Sequence, residues 1–138
     1  MNSRAALNPR QFLMFHKSKG AIVTLSGTDP CVHKVIVLAH NASFDISVLQ
    51  SSLDAYGIAY PCIEYYCTVD FARKMWPDLR NHKLNTVAEY LGLEFKHHDA
   101  EEDASVCAMV VVECMKITGH EDVKLLAKAL EVKARYIC

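Results

Sequence analysis

The sequence has no excess of positive charge: 15 Lys and Arg stand against 16 Asp and Glu, for a formal net charge of −1. A protein that binds nucleic acid by coating phosphates with cations carries a basic surplus, so that simple mode is disfavoured. An enzyme that holds divalent cations in carboxylates is not, because the metal supplies positive charge locally. The chain also has no apolar stretch approaching a membrane span. No long apolar segment follows the basic residue near Met1, so no signal peptide is read there. Internal repeats and low-complexity tracts are absent too. These absences lead to the expectation of a cytoplasmic protein with no membrane association. The Cys residues at 31, 62, 67, 107, 114 and 138 are then expected to be reduced.

What is present is an ordinary globular composition, 51% hydrophobic and 22% charged over 138 residues, enough for one domain with a single core. Residues 1–34 form an atypical N-terminal segment with weak signals. A turn or two of helix is expected over 9–15, a short strand over 21–25, and a turn at Ser26-Gly27-Thr28-Asp29-Pro30. From Val35 the signals sharpen. Val35-Ile36-Val37-Leu38-Ala39 reads as a strand buried on both faces. A helix is expected over 43–56, with Phe44, Val48, Leu49, Leu53 and Tyr56 on its apolar face and Gly57 as its stop. A strand over 63–68 and a short helix over 69–75, stopped by Pro77, follow. Thr86 and Glu89 have capping-box spacing and should open a helix that Gly92 ends. The longest helix is expected over 100–118, and a last one over 122–133. Strands alternating with helices indicate an α/β sandwich.

Two constellations could carry chemistry. In His40-Asn41-Ala42-Ser43-Phe44-Asp45 a buried strand runs into a helix whose first turn holds an acid. Ligands of open α/β sheets collect at such strand ends, and an acid there can hold a divalent cation that in turn holds a phosphate. Helix capping by Asn41 or Ser43, with Asp45 favouring the positive helix end, explains the same residues. In His97-His98-Asp99-Ala100-Glu101-Glu102-Asp103-Ala104 the Asp99 and Glu102 pair reads as a cap. Asp103, one turn inside, can reach an adjacent site, and His98 can take a proton from water near neutral pH. A structural zinc on Cys62, Cys67, His97 and His98 is disfavoured, because the two Cys are five positions apart on a predicted strand and face opposite ways.

Taken together, the segments resemble a family. Val37-Leu38-Ala39-His40-Asn41-Ala42-Ser43-Phe44-Asp45 is similar to the second motif of the DEDDh 3′–5′ exonucleases. His98-Asp99-Ala100-Glu101-Glu102-Asp103-Ala104 is similar to their third, His-x-Ala-x-x-Asp-Ala. Cys67-Thr68-Val69-Asp70 and His82-Lys83-Leu84-Asn85 resemble intervening elements of members like the epsilon proofreading subunit of bacterial DNA polymerase III. The resemblance covers roughly residues 33–119, so that 35–138 is expected to be the C-terminal part of an exonuclease domain with a ribonuclease H-like α/β fold. It implies two Mg²⁺ or Mn²⁺ ions at a nucleic-acid 3′ end, DNA or RNA, release of nucleoside 5′-monophosphates, and association with a DNA polymerase subunit. Residue by residue, it makes Asp45 and Asp103 catalytic metal-site carboxylates, His98 the general base, and Asn41 and Phe44 substrate-binding residues, Phe44 being equally readable as core.

One motif is missing. The family's Asp-x-Glu on its first strand has no counterpart upstream of Asp45, where Asp29 is the one acid. The fold is therefore expected to be N-terminally incomplete, with its first sheet strands missing or replaced. An alternative function follows, a truncated or degenerate member that binds nucleic acid or a partner protein without catalysis. A strand over 35–39 left as a sheet edge would also invite homodimerisation.

Overall fold

A computed structural model describes residues 12–15, 22–26, 35–94 and 100–137. The elements run β1 (Phe12–Phe15), β2 (Ile22–Ser26), β3 (Val35–Ala39), α1 (Ala42–Ala55), β4 (Ile63–Cys67), α2 (Thr68–Met75), α3 (Leu84–Leu91), α4 (Ala100–Thr118), α5 (Val123–Ala129) and β5 (Arg135–Ile137). The strands form one sheet in the order β1-β2-β3-β4-β5. β3 and β4 are parallel, with Ala39 opposite Cys67, and α1 makes the crossover that a parallel pair requires. The other three pairings are antiparallel.

Side chains alternate across the sheet and bury on both faces, as the β-branched run predicts. Leu38 and Tyr66 point into the larger core, with Phe71 of α2, Ala104, Ala108, Val111 and Cys114 of α4, and Leu126 of α5. Val37, Ala39, Tyr65 and Cys67 point to the other face, against Ala42 and Ile46 of α1. The small residues of α4 recur at three- and four-residue spacing and let this long helix lie close on the sheet. A third cluster, Ala72, Val87 and Val110, joins α2, α3 and α4.

Several expectations need correction. Residues 12–15 are strand, not helix, paired with β2 at Phe12↔Leu25 through Phe15↔Ile22. β3 is no edge: β2 pairs along its whole length on one side and β4 on the other, so the edge proposed for homodimerisation is filled. The inward face of α1 is Ala42, Asp45 and Ile46, whereas Phe44 is 53% and Tyr56 82% exposed. The apolar residues were a poor guide because the face that meets the sheet carries an acid. The helix with Thr86 begins at Leu84, with Lys83 as its N-cap and no side-chain cap, so Thr86 lies inside it and is buried. α5 ends at Ala129, and β5, which sequence did not indicate, follows.

Three helices close by the same device. Ile58 N–H donates to the Leu53 carbonyl, Leu93 N–H to Ala88, and Val132 N–H to Ala127, the six-to-one bond of a Schellman ending. The left-handed residue is Gly57 in the first and Gly92 in the second, but Glu131 in the third, at φ 58°. A side chain there costs about 1 kcal/mol. Glu131→Gly is therefore expected to raise stability by about 1 kcal/mol, read as an increased denaturation midpoint with an unchanged slope.

Candidate functional site

Asn41, Phe44 and Asp45 follow directly on the end of β3. After Ala39 the chain turns at Asn41, which holds φ 65° and ψ 54° and caps α1 without a side-chain hydrogen bond. Asn tolerates this left-handed conformation better than most residues, which explains its presence better than the expected capping bond. Ser43 does not cap either; its Oγ accepts from Arg135 Nη1 at 3.2 Å. The turn delivers the first turn of α1 over the strand ends, with the Ala42 N–H directed at Cys67 Sγ, 3.5 Å away.

Asp45 sits on the inward face of that turn and is only 3% exposed. Among the described residues its Oδ1 has no hydrogen-bond partner. Burial pushes its carboxyl up to about 6, since desolvation penalises the charged form. Asp103 lies in the first turn of α4, half-buried, with one carboxylate oxygen enclosed. The buried Cys107 thiol, one turn along α4 from Asp103, feels the charge of Asp45. Phe44, next to Asp45 in α1, is exposed, which leaves it available to a ligand and removes it from the core. His98, with His97 and Asp99, lies outside the described residues.

A hydrogen-bond chain joins the end of β3 to α2 and α4, and sequence reasoning assigned it no role. His40 Nε2 is 2.7 Å from the His82 carbonyl oxygen. A carbonyl can only accept, so Nε2 carries the proton. Burial, foremost, lowers the His40 pKa and keeps the ring neutral, so Nδ1 is an acceptor. Thr68 Oγ1, 2.8 Å away, donates to it. Thr68 Oγ1 then accepts from Cys107 Sγ at 3.4 Å; burial pushes that thiol up to about 12, so it keeps its proton. His82 Nε2 in turn donates to the Trp76 carbonyl at 2.8 Å. The chain ties β3, α2, α4 and the 76–83 connection into one unit. Its sequence signal was a His ending a buried strand and a Thr opening a helix, neither of which announces a partner so distant in sequence.

A buried carboxylate oxygen without a partner among the described residues is what a divalent cation satisfies, and carboxylate oxygens are suitable donors for Mg²⁺ or Mn²⁺. Asp45 therefore fits a cation site. The described residues do not by themselves assemble a set of three or more candidate ligands, so the fit is to part of such a site.

Two consequences can be measured. The folded-state pKa of Asp45 lies above its unfolded value, so the unfolded chain ionises first. Stability then falls as pH rises from about 4 to about 6 and levels off above. Asp45→Asn should leave stability unchanged near pH 4 and raise it by roughly 2–3 kcal/mol above pH 6, in denaturant titrations without divalent cations. An equal effect at both pH values would mean that the carboxylate is not desolvated. Thr68→Val preserves volume but leaves His40 Nδ1 without its donor. A loss of about 1–3 kcal/mol is expected, with the far-ultraviolet dichroism retained.

The exonuclease family model, RNase T type, matches residues 31–111. Among curated proteins, the chain is 36% identical over 98 residues to a DNA polymerase III PolC-type of Clostridium perfringens, covering 66% of this chain and 7% of that protein. A PolC-type DNA polymerase III of Oceanobacillus iheyensis is 40% identical over 73 residues, 50% of this chain and 5% of the relative. One of Lacticaseibacillus paracasei is 27% identical over 114 residues, 77% and 8%. The chain thus spans less than a tenth of the length of these relatives. No solved structure matches. With the family model covering more than half of the chain, and with a mixed α/β sheet whose strand ends present the second-motif acid, this chain belongs to the DEDDh exonuclease family of the ribonuclease H-like superfamily.

Proposed function

We propose that this chain acts as a metal-dependent 3′–5′ exonuclease domain of the polymerase-proofreading kind. It would remove nucleoside 5′-monophosphates from DNA 3′ ends, with RNA ends as the competing substrate. The observation that carries the reading is Asp45, an acid closed from solvent with a carboxylate oxygen unpartnered among the described residues, at the end of a buried parallel strand. The names of the PolC-type relatives favour DNA and a polymerase partner, and with them a place in the cytoplasm.

In this reading Asp45 and Asp103 hold Mg²⁺ or Mn²⁺. Bound there, the cations would lower the pKa of the attacking water and stabilise charge on the scissile phosphate. His98, from the segment leading into α4, removes the proton of that water. Asn41 and Phe44, both exposed at the turn above Asp45, contact the terminal nucleotide. The neutral His40 ring takes no part in proton transfer, because both of its nitrogens are already engaged.

A second reading rests on one specific observation: no Asp-x-Glu precedes Asp45, and β2, which lies beside β3, is Ile-Val-Thr-Leu-Ser, with no acid. A chain with only part of the metal site could retain a 3′ end without cleaving it.

Labelled single-stranded DNA and RNA, incubated with the chain in Mn²⁺, separate the two. Cleavage should appear as stepwise loss of mononucleotides from the 3′ end. His98→Ala should slow it by about 10²–10⁴-fold, and Asp103→Ala should remove it. Binding of the 3′ end by folded protein without turnover would favour the non-catalytic reading.

A further inference from the structure

A cavity of about 400 Å³ opens between α2 and the chain that leads into β5, lined by Asp70, Arg73, Lys74, Glu131, Lys133 and Arg135 among others. Four cations thus meet two carboxylates, on a chain whose overall charge is −1. One of those carboxylates is already engaged: Asp70 Oδ2 accepts from Arg135 Nη2 at 3.2 Å. Arg73, Lys74 and Lys133 have no ion-pair partner among the described residues, and all three are exposed. Glu131 alone is left to offset them. Cations in the last turn of a helix are favoured by its dipole, which accounts for Arg73 and Lys74 on α2. It does not account for Lys133 and Arg135 reaching the same cavity from another part of the chain.

The cavity adjoins the candidate site. Arg135 stands opposite Tyr65 in the middle of β4, and its other guanidinium nitrogen donates to Ser43 Oγ at 3.2 Å. Ser43 is in the same turn of α1 as Asp45. On the other side, Arg73 acts electrostatically on His40, where β3 ends. Arg135 thus joins the cavity to the turn of α1 that presents Asp45.

We propose that this cavity is a phosphodiester-binding station for single-stranded nucleic acid, in which Arg73, Lys74 and Lys133 hold the backbone of the strand whose end lies at Asp45. The proposal rests on the exonuclease reading for the presence of that strand, and it adds where the strand is gripped. It also resolves how a chain with no basic excess holds a polyanion: the cations are concentrated in one concave place beside the acids.

The test is anisotropy of a labelled oligothymidylate titrated with the full chain in EDTA, where cleavage is silent, over a series of salt concentrations. Lys74→Ala combined with Lys133→Ala should weaken binding about tenfold or more at low salt. It should also lower the slope of log affinity against log salt by about 1.4, near 0.7 for each phosphate no longer neutralised. Lys116→Ala combined with Lys128→Ala removes the same charge from elsewhere and should leave both quantities nearly unchanged. An analogue with uncharged methylphosphonate linkages should bind weakly to the wild type. Equal losses in the two double variants, no loss in either, or undiminished binding of the uncharged analogue would overturn the proposal. The exonuclease reading is judged separately, by cleavage in Mn²⁺. A wild type that cleaves while the cavity variant binds as well as before would remove the station and leave the nuclease.

Discussion

The His40 ring is the joint on which the arrangement of the site depends. It is held at both nitrogens, by Thr68 and by the His82 carbonyl, at 2.8 and 2.7 Å. The two bonds lock one tautomer, and the lock fixes the direction of every bond beyond it, from Cys107 through Thr68 to His40. Each partner lies on a different element, and in sequence the partners lie 28 and 42 residues from His40. In a low-dielectric interior such bonds are strong when complete, and an unpaired member is costly. The chain therefore sets the spacing between the end of β3, which leads into Asp45, and α4, which bears Asp103.

Asp45 works against stability where His40 supports it. A carboxylate with a raised pKa lowers the stability of the folded state at neutral pH, and a purely structural position would be filled better by an apolar residue. The packing of α1 on the sheet bears the cost: Ala39, Ala42 and Cys67 are buried in one cluster, and the small side chains bring α1 close to the strand ends. A ligand that compensates the charge would return the lost stability, and this links cation binding to folding at that residue.

How much of this was legible in the sequence depended on range. β3, β4, α1, α2 and α4 could be read because each carries its signal locally, as a β-branched run or a helix stopped by Gly or Pro. The apolar face of α1 was read in part: Leu49 packs on the sheet, but Phe44 and Tyr56 are exposed, because hydrophobic periodicity assigns an acid to solvent and here the acid faces inward. β5 has only three residues and exists because Arg135 and its neighbours pair with β4, a tertiary fact with no local signature. The end of α5 was placed late, since Glu131 does not look like a helix terminator, yet it occupies the position that Gly57 and Gly92 hold elsewhere. The acids of the candidate site were visible as motifs. The chain of hydrogen bonds was not, because it joins residues through space.

The same topology limits what the site can contain. β4 occupies one side of β3 and β2 the other, and α4 lies across both β3 and β2. Among the described residues, the strand that fills the position beside β3 on the side away from β4 is β2. β2 has no acid to give. Its antiparallel pairing satisfies the backbone of β3 and so removes the physical penalty of an exposed central strand, but it supplies no charge. Closing the sheet and supplying charge beside β3 are thus separate requirements, and β2 meets the first without meeting the second.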